Sequence, residues 1–528
     1  MSKSYLIRNV KVYDGLGGKP YQADVLIQNG KIEKIARETG YLPTVGELID
    51  GSGLCLAPGF IDAHTHSDMQ LFFDPSRAGR LLQGITTEIG GQCGSSLSPY
   101  VEDMPEDARR YFASDYRTLG WYRTFAEQLE AMDKQPLGCH EKFFVGHRLI
   151  RGSVMGMASR PATAKELDRM CGLLEEAMQS GALGISTGLV YSPGPEAAPE
   201  ELIALAKTAG KYGGMYTTHM RNESDLVENS VAETLDIGRK SGTPVNISHI
   251  KNMYPANWGK TDAILKQLDD ALAEGIDVSC DAYPYEACSA GILSTTPPSF
   301  RAHGIDWLVE HFRGEENRKL LRELVLEGKE VYENPIRGVG TENELIVRAA
   351  GTPDAVGKTI AQYAAEKGID SFDAWCDIVA DNAGSVTDVR FTMKEENIIK
   401  FYQHPICMVG SDGLYTRGNE LCHPRFFGTM PRYLGRLVRD KKILPFEEGV
   451  RRITSMPAKR YGLTNKGAIL EGYDADLVLF NENTIIDRAD YVHPFLPNEG
   501  IKAVFVDGGI AVLDNLYTGL ANGRVLRR

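Results

Sequence analysis

Two histidines close an apolar segment of this chain at a spacing that suits metal binding. His64 and His66 follow the apolar residues 58–63. Residues two apart on a strand point to the same side, so both imidazoles are predicted to face one point. Neutral imidazole nitrogens are good ligands for zinc. A His-x-His pair is not specific by itself, and the prediction depends on other parts of the chain.

Four further side chains of ligand or acid–base type follow other predicted strands. Cys93 lies in a glycine-rich turn, His219 and His249 each end a strand, and Asp412 lies in a Gly-Ser-Asp-Gly turn. Taken singly, each has a structural alternative, such as a hydrogen-bonded core histidine, an inert thiol or a turn aspartate. If the strands are parallel neighbours, their carboxyl ends meet at one rim. The convergence of all six side chains predicts a metal site with a carboxylate beside it.

The elements that must position these residues alternate between strand and helix. Eight apolar strands are separated by amphipathic helices, of which residues 163–180 are the clearest. The strands are predicted at residues 58–66, 85–92, 142–147, 183–189, 214–219, 245–250, 277–283 and 406–412. This alternation predicts an α/β fold, a TIM (β/α)8 barrel over residues 58–465. An open doubly wound sheet is the alternative, but no GxGxxG segment follows a strand.

Two other regions lie outside this alternation. Residues 1–57 and 466–528 contain short strands and turns, with a hairpin signal at Asn29-Gly30. Short strands need partners, so both termini are predicted to build one small β-sandwich domain. Residues 290–350 are too long for an ordinary connection and are predicted to be an insertion, or lid, over the mouth of the barrel.

The composition excludes several classes of function. The 528-residue chain has a net charge of −13 and a pI of about 5.5, which disfavours nucleic acid and means that an anionic substrate needs a local cation. No apolar run approaches the roughly 20 residues that span a bilayer, and no signal core is visible. The nine cysteines form no CxxC pair, which indicates reduced thiols and a cytoplasmic location. The oligomeric state is not readable.

Taken together, the motifs resemble the amidohydrolase superfamily, and more closely the N-acyl-D-amino-acid deacylases, or D-aminoacylases. The matching segments are PGFIDAHTH at 58–66, GALGISTGLVYSPG at 181–194, THMRNES at 218–224, ISHIKN at 247–252, DAYPY at 281–285, GSDG at 410–413, HPRFFGTMPRYLG at 423–435 and GYDADLVLF at 472–480. The resemblance covers almost the whole chain and is least clear in 290–350. It implies the same barrel fold and zinc-dependent hydrolysis of an N-acyl-D-amino acid to a carboxylic acid and a free D-amino acid.

The resemblance also assigns the metal ligands. It implies one tightly bound zinc held by Cys93, His219 and His249. It implies a second, weaker site in which His64 and His66 share Cys93. A bridging thiolate is chemically reasonable because zinc favours sulfur and a coordinating thiol is deprotonated.

For catalysis, the resemblance implies Asp412 as general base and then general acid. It places Lys251, Tyr191 and Tyr283 on the α-carboxylate of the substrate, with Ser289 nearby. Lys251 would then be the cation that an anionic substrate requires in this acidic chain. The structural alternatives are a solvated surface lysine and tyrosines that pack against neighbouring prolines.

Substrate specificity and several rival activities stay open at this point. Segment 288–294 carries no arginine, unlike similar enzymes that act on acidic D-amino acids, so we expect neutral or apolar substrate side chains unless Arg337 or Arg348 supplies a cation. N-acyl-L-amino acids, another metal-dependent amidohydrolase (a cyclic amidase, dipeptidase or aminohydrolase) and a non-catalytic scaffold are the alternatives. The absence of lysine from strand four, residues 183–189, and the presence of Cys93 argue against the lysine-bridged cyclic amidases.

Overall fold

Parallel strands that follow one another along the chain form a closed ring. The computed structural model describes residues 3–38, 42, 46–116, 122–301, 305–414 and 420–528. In order, the eight ring positions are Phe60–Asp62 with Thr65–His66, Ile85–Gly90, His140–Phe143 with Val145–Gly146, Gly184–Gly188, Met215–His219, Val245–Ile247, Val278–Ala282, and Cys407–Val409 with Gly413–Leu414. Each position pairs in parallel with the next, and the eighth pairs back to the first. We call this set the strand ring, and each predicted strand overlaps one of its positions.

Helices connect the ring positions and follow the last one. They are Ala78–Leu81, Glu106–Tyr116, Phe125–Asp133, His147–Met155, Ala164–Gln179, Pro199–Lys211, Val227–Ser241, Thr261–Ala273, Glu395–Gln403, Arg425–Arg432 continuing as the π-helix Tyr433–Asp440, Phe446–Arg452 and Ser455–Arg460. The helix predicted at 163–180 begins after Thr163, whose side chain and that of Glu166 each accept the other's backbone N–H. Within the described ranges, no helix is both long and apolar enough to cross a membrane.

Strands from both ends of the chain belong to one sheet. Its nine members are Tyr5–Val12, Tyr21–Gln28, Lys31–Ala36, Glu47–Asp50, Cys55–Pro58, Leu477–Phe480, Ile501–Val506, Gly509–Leu513 and Leu516–Tyr517. The two terminal regions meet where Cys55–Pro58 pairs antiparallel with Leu477–Phe480. The hairpin at Asn29-Gly30 forms because both residues adopt the positive φ that its two-residue turn requires, 52° and 77°.

The segment between ring positions seven and eight forms a unit with its own core. Its antiparallel strands are Ala287–Gly291, Glu344–Ala349 and Val386–Phe391. Its helices are Pro298–Arg301, Ile305–Arg313, Glu315–Leu326, Pro335–Gly338, Ile360–Lys367 and Ser371–Asp381. A separate apolar cluster that includes Phe312 and Trp375 fills its interior. We call residues 287–391 the insertion; it extends beyond the predicted range 290–350 at both ends.

Candidate metal centre

The five side chains predicted as metal ligands lie together at the carboxyl ends of the ring strands. Cys93 Sγ is 3.4 Å from Nε2 of His64 and 3.2 Å from Nε2 of His249. The ring centroids of His219 and His249 are 4.5 Å apart, and those of His64 and His66 are 5.3 Å apart. All are buried except His66, which is partly exposed. We call this group the metal centre.

Sharp turns in the backbone follow the strands that carry the site. Cys93, His249 and Asp412 have φ values of 51°, 36° and 49°. Non-glycine residues rarely adopt this left-handed conformation, and it persists where surrounding contacts fix it. Two such contacts are the N–H of His249 donating to Asp281 Oδ1 and the N–H of Asp412 donating to the carbonyl of His64, both at 2.8 Å. These turns, two of them fixed by hydrogen bonds to other site residues, position the side chains of Cys93, His249 and Asp412.

The donor set and its unsatisfied atoms fit zinc. Zinc prefers sulfur and imidazole nitrogen, and both are present here. Within the described part of the chain, neither ring nitrogen of the buried His219 has a hydrogen-bond partner. Buried polar atoms without hydrogen bonds are rare, so the ring nitrogens of His219, of which Nε2 lies 3.5 Å from Glu223 Oε2, are placed to bind an ion. Burial would raise the pKa of the Cys93 thiol, yet the imidazoles of His249, His64 and His66 lower it well below its ordinary value, which favours the metal-binding thiolate.

Asp412 lies beside the metal centre as a charged carboxylate. Its Oδ1 is 3.1 Å from Nε2 of His66, and its Oδ2 is 2.8 Å from Nη1 of Arg425. Burial alone would raise the pKa of Asp412, but the Arg425 guanidinium and the neighbouring histidines hold it well below its usual range. The lowered pKa favours the charged carboxylate over the neutral acid.

Two carboxylates that the sequence analysis missed lie close to the Nδ1 atoms of two metal-centre histidines. Asp281 Oδ1 lies 3.1 Å from Nδ1 of His64, and Glu223 Oε1 lies 3.1 Å from Nδ1 of His249. A carboxylate in this place fixes the orientation and the tautomer of a ligating histidine. Asp281 lies in the motif DAYPY and Glu223 in the motif THMRNES. Their positions in these motifs were the only sequence feature that could have identified them as site residues.

Three of the predicted substrate-binding residues lie next to the metal centre. Lys251 Nζ is 2.7 Å from Glu223 Oε2 and 5.8 Å above the ring of Tyr283. The ring of Tyr191 is 4.9 Å from that of His219. The buried hydroxyl of Tyr283 has no hydrogen-bond partner among the residues that the structure describes. A cation and an unsatisfied hydroxyl therefore face the same region.

Ser289, predicted to lie near the substrate, contacts Arg425, whose guanidinium lies over the ring of Tyr283. The Ser289 hydroxyl donates to the carbonyl of Asp388 at 2.7 Å, and its own carbonyl accepts from Arg425 Nη2 at 3.2 Å. Arg425, which the sequence analysis missed, is buried with its guanidinium 4.7 Å above the ring of Tyr283. It lies in the quoted motif at 423–435, but nothing local in the sequence indicates that it reaches Asp412.

Comparison with known proteins places the chain in a family. The profile described as "Amidohydrolase family" matches residues 47–512. This chain belongs to the amidohydrolase family. It is 34% identical over 520 residues to the N-acyl-D-glutamate deacylase of Alcaligenes xylosoxydans xylosoxydans, covering 98% of this chain and 95% of that protein. The family predicted from the sequence is confirmed.

Solved structures resemble this amidohydrolase over its whole length. A crystal structure of N-acyl-D-glutamate deacylase from Bordetella bronchiseptica, complexed with zinc and a phosphonate mimic of the tetrahedral intermediate, has 31% sequence identity and a TM-score of 0.84 and covers 100% of both chains. A D-aminoacylase structure described with a binuclear metal centre has 32% identity and a TM-score of 0.82 and covers 99% of both chains. These similarities confirm the α/β fold class and support zinc as the metal.

Proposed function

We propose that this amidohydrolase uses zinc to hydrolyse N-acyl-D-amino acids, releasing a carboxylic acid and a free D-amino acid. The observation that carries the proposal is the charged carboxylate of Asp412, 3.1 Å from His66, at the edge of a cluster of one thiol and four imidazoles. A metal site next to a general base is an arrangement that can hydrolyse an unactivated amide. The deacylase activity named for the similar proteins supports this substrate class.

The metal centre divides into two proposed sites. Cys93, His219 and His249 would hold the tightly bound zinc, and His64 and His66 would hold a weaker one that shares Cys93. Three sets of ligand-type atoms each lie within 4.8 Å of one another, and they link the two proposed sites through shared histidines: His64, Cys93 and His249; His64, His66 and Asp412; and His219, Glu223 and His249. When bound, zinc polarises a carbonyl and lowers the pKa of water from about 15.7 toward about 7.

Asp412 performs the proton transfers of the proposed reaction. It accepts a proton from the water that adds to the amide carbonyl, and it donates that proton to the leaving nitrogen as the C–N bond breaks. Arg425, 2.8 Å from Oδ2, keeps the carboxylate charged before the reaction. The other oxygen faces His66 and His64 at 3.1 and 3.6 Å, so it lies where a reacting water would be held.

The α-carboxylate of the substrate would bind between Lys251, Tyr283 and Arg425. Both cations lie over the Tyr283 ring, at 5.8 and 4.7 Å. They supply the positive charge that an anion needs in a chain of net charge −13. Tyr191 would close the opposite side next to His219. Ser289 contributes through its carbonyl, which positions Arg425.

An acidic substrate side chain is a second candidate, in contrast to the neutral or apolar one expected from the sequence. Arg301 of the insertion is partly buried and donates to the carbonyl of Val190, next to Tyr191, at 3.0 Å. No carboxylate of the described residues forms an ion pair with it, and its buried Nε has no hydrogen-bond partner there. Arg337 and Arg348, the cations considered from the sequence, are both exposed. Arg301 therefore favours a distal carboxylate.

The chain is proposed to comprise a barrel, a small β-domain and a lid. The strand ring would be a (β/α)8 barrel within residues 58–465, and residues 1–57 with 466–528 would form the small β-domain. The insertion would cover the mouth of the barrel as a lid. Support comes from the parallel ring closure and from the contact of Arg301 with the loop that follows ring position four.

Hydrolysis of paired substrates tests the function. N-acetyl-D-methionine, N-acetyl-D-glutamate and their L-enantiomers would be assayed with the zinc content of the same preparation. We expect cleavage of at least one D-substrate with kcat/KM about a hundredfold above its L-enantiomer, a difference of about 3 kcal/mol. Arg301→Ala should lower kcat/KM for the glutamate derivative only. Preference for the L-substrates, or no cleavage by zinc-containing protein, would contradict the proposal.

A further inference from the structure

We propose that Glu223 is a positioning residue that couples the metal centre to the substrate anchor, and that Glu333 of the insertion holds it in place. The proposal rests on the proposed function. The carboxylate of Glu223 contacts both sites: Oε1 is 3.1 Å from His249 Nδ1, and Oε2 is 2.7 Å from Lys251 Nζ. Oε2 also lies 3.5 Å from Nε2 of His219. Glu223 is 1% exposed, so its charge depends on these partners rather than on water.

The first half of the coupling is the orientation of His249. Its Nε2 faces the thiol of Cys93 at 3.2 Å. An imidazole that binds a metal through Nε2 carries its proton on Nδ1, and that proton needs an acceptor. Glu223 Oε1 is the carboxylate in place to accept it. Glu223 therefore selects the tautomer in which His249 can bind a metal.

The second half is the availability of Lys251. Its ammonium group has three protons and lies 2.8 Å from His249 Nδ1, 2.9 Å from the His249 carbonyl and 2.7 Å from Glu223. A protonated Nδ1 cannot accept from Lys251, so one ammonium proton is released for the substrate carboxylate. The remaining bonds to Glu223 and the carbonyl keep the lysine in position. Metal binding and substrate binding should therefore strengthen one another.

A side chain of the insertion contacts the backbone of Glu223. The N–H of Glu223 donates to Glu333 Oε1 at 2.6 Å, and its carbonyl accepts from the N–H of Met253 at 2.7 Å. Glu333 lies between the insertion helices Glu315–Leu326 and Pro335–Gly338. The backbone of Glu223 is thus held from both sides, and one of these contacts comes from the insertion.

Zinc affinity and kinetics of the holoenzyme test the proposal together. The dissociation constant for zinc is measured by competition with a chromophoric chelator, and KM and kcat are measured at saturating zinc. For Glu223→Gln, we expect zinc affinity to fall about 10- to 100-fold and KM to rise about tenfold or more. The matched control is Glu233→Gln, which breaks the ion pair of Glu233 with Arg221 at 2.9 Å but contacts neither His249 nor Lys251. It should stay within about twofold of wild type on both measures.

Further variants separate positioning from simple folding effects. Glu223→Asp retains the charge and should recover part of both losses, and Glu333→Ala should raise KM less than Glu223→Gln. Unchanged zinc affinity and KM in Glu223→Gln would overturn the proposal, as would weaker zinc binding with an unchanged KM at saturating zinc. If the wild type cleaves no N-acyl-D-amino acid, the proposed function fails, whereas the zinc affinities still decide whether Glu223 supports His249.

Discussion

Two buried groups of histidine and acidic residues in this protein differ in what balances their charge. The metal centre lies at the carboxyl ends of the ring strands. A second group, which we call the basal cluster, consists of His140, Asp476 and Asp507 with Lys466. His140 Nε2 is 3.2 Å from Asp476 Oδ1, and Lys466 Nζ is 2.5 Å from Asp476 Oδ2 and 3.9 Å from Asp507. Each group contains at least one set of three ligand-type atoms within 4.8 Å of one another, such as those of His140, Asp476 and Asp507.

The difference is that the basal cluster already contains its cation. Lys466 occupies the place between the carboxylates, and Arg524 pairs with Asp507 as well. His140 begins its strand, so the cluster lies at the amino end of the ring and ties it to the terminal sheet. In the metal centre, the Cys93 thiol lies among the imidazoles, and neither ring nitrogen of His219 has a hydrogen-bond partner among the described residues, although Nε2 is 3.5 Å from Glu223 Oε2. Nδ1 of His140 in the basal cluster likewise has no such partner there, so the side-chain cation is what distinguishes the two groups. Ligand geometry alone therefore does not define a metal site; it also matters whether a side-chain cation already lies among the ligand-type atoms.

Removal of the shared thiol should have the largest effect. In Cys93→Ala, we expect loss of zinc and a fall in kcat/KM of about a thousandfold or more, which corresponds to about 4 kcal/mol. Zinc per molecule is measured by mass spectrometry and folding by circular dichroism. Cys171→Ala, on the helix Ala164–Gln179, is the control and should keep both zinc and activity. Full zinc content in the Cys93 variant would contradict the assignment.

Neutralisation of the general base should separate chemistry from metal binding. In Asp412→Asn, we expect kcat to fall by about 10²- to 10⁴-fold, because the amide can neither accept nor return the proton. Zinc content should stay near that of the wild type, since the thiol and imidazoles are unchanged. The exposed Asp440 provides the control variant Asp440→Asn, with normal turnover expected. Turnover near the wild-type value in Asp412→Asn would refute the role.

Local features of the sequence were sufficient to predict much of this arrangement. The helix Ala164–Gln179 is delimited by its own capping residues, and the strand ends that carry the metal centre are marked by short motifs. Contacts between distant segments were not accessible in the same way. The range predicted for the insertion, 290–350, does not include the strand Val386–Phe391, because this strand pairs with residues 287–291 about a hundred positions earlier. Arg425 was missed because only the folded chain brings it to Asp412.

Disruption of the basal cluster should affect stability rather than catalysis. In Asp476→Asn, we expect the free energy of unfolding to fall by about 2–3 kcal/mol, because buried Lys466 loses its shortest charged contact. Asp474, 3.1 Å from Lys466 Nζ, still balances its charge in part. Zinc content and kcat of the folded enzyme should remain near wild type. Urea unfolding and turnover measure the two properties. In the control Asp514→Asn, which breaks an exposed pair with Lys502, the change should be below about 0.5 kcal/mol. Loss of zinc in Asp476→Asn would mean that the two groups are not independent.

The smallest expected effect is the dependence of this stability difference on pH. Burial would raise the pKa of Asp476, but His140 and Lys466 hold it well below its usual value. The pKa of an aspartate in the unfolded chain is about 3.9. A carboxyl whose pKa is lower in the folded state contributes stability above the unfolded pKa and loses it as the pH falls toward the folded pKa.

The difference in unfolding free energy between wild type and Asp476→Asn should therefore be constant above about pH 5 and shrink below about pH 4. Urea unfolding of both proteins at several pH values between about 3 and 7 measures it. The asparagine resembles the protonated carboxyl in size and hydrogen bonding, so the curves should converge on the acidic side. A difference that stays constant down to the lowest pH would show that the basal cluster stabilises the fold by packing and not by its charge. That result would remove the electrostatic contrast with the metal centre.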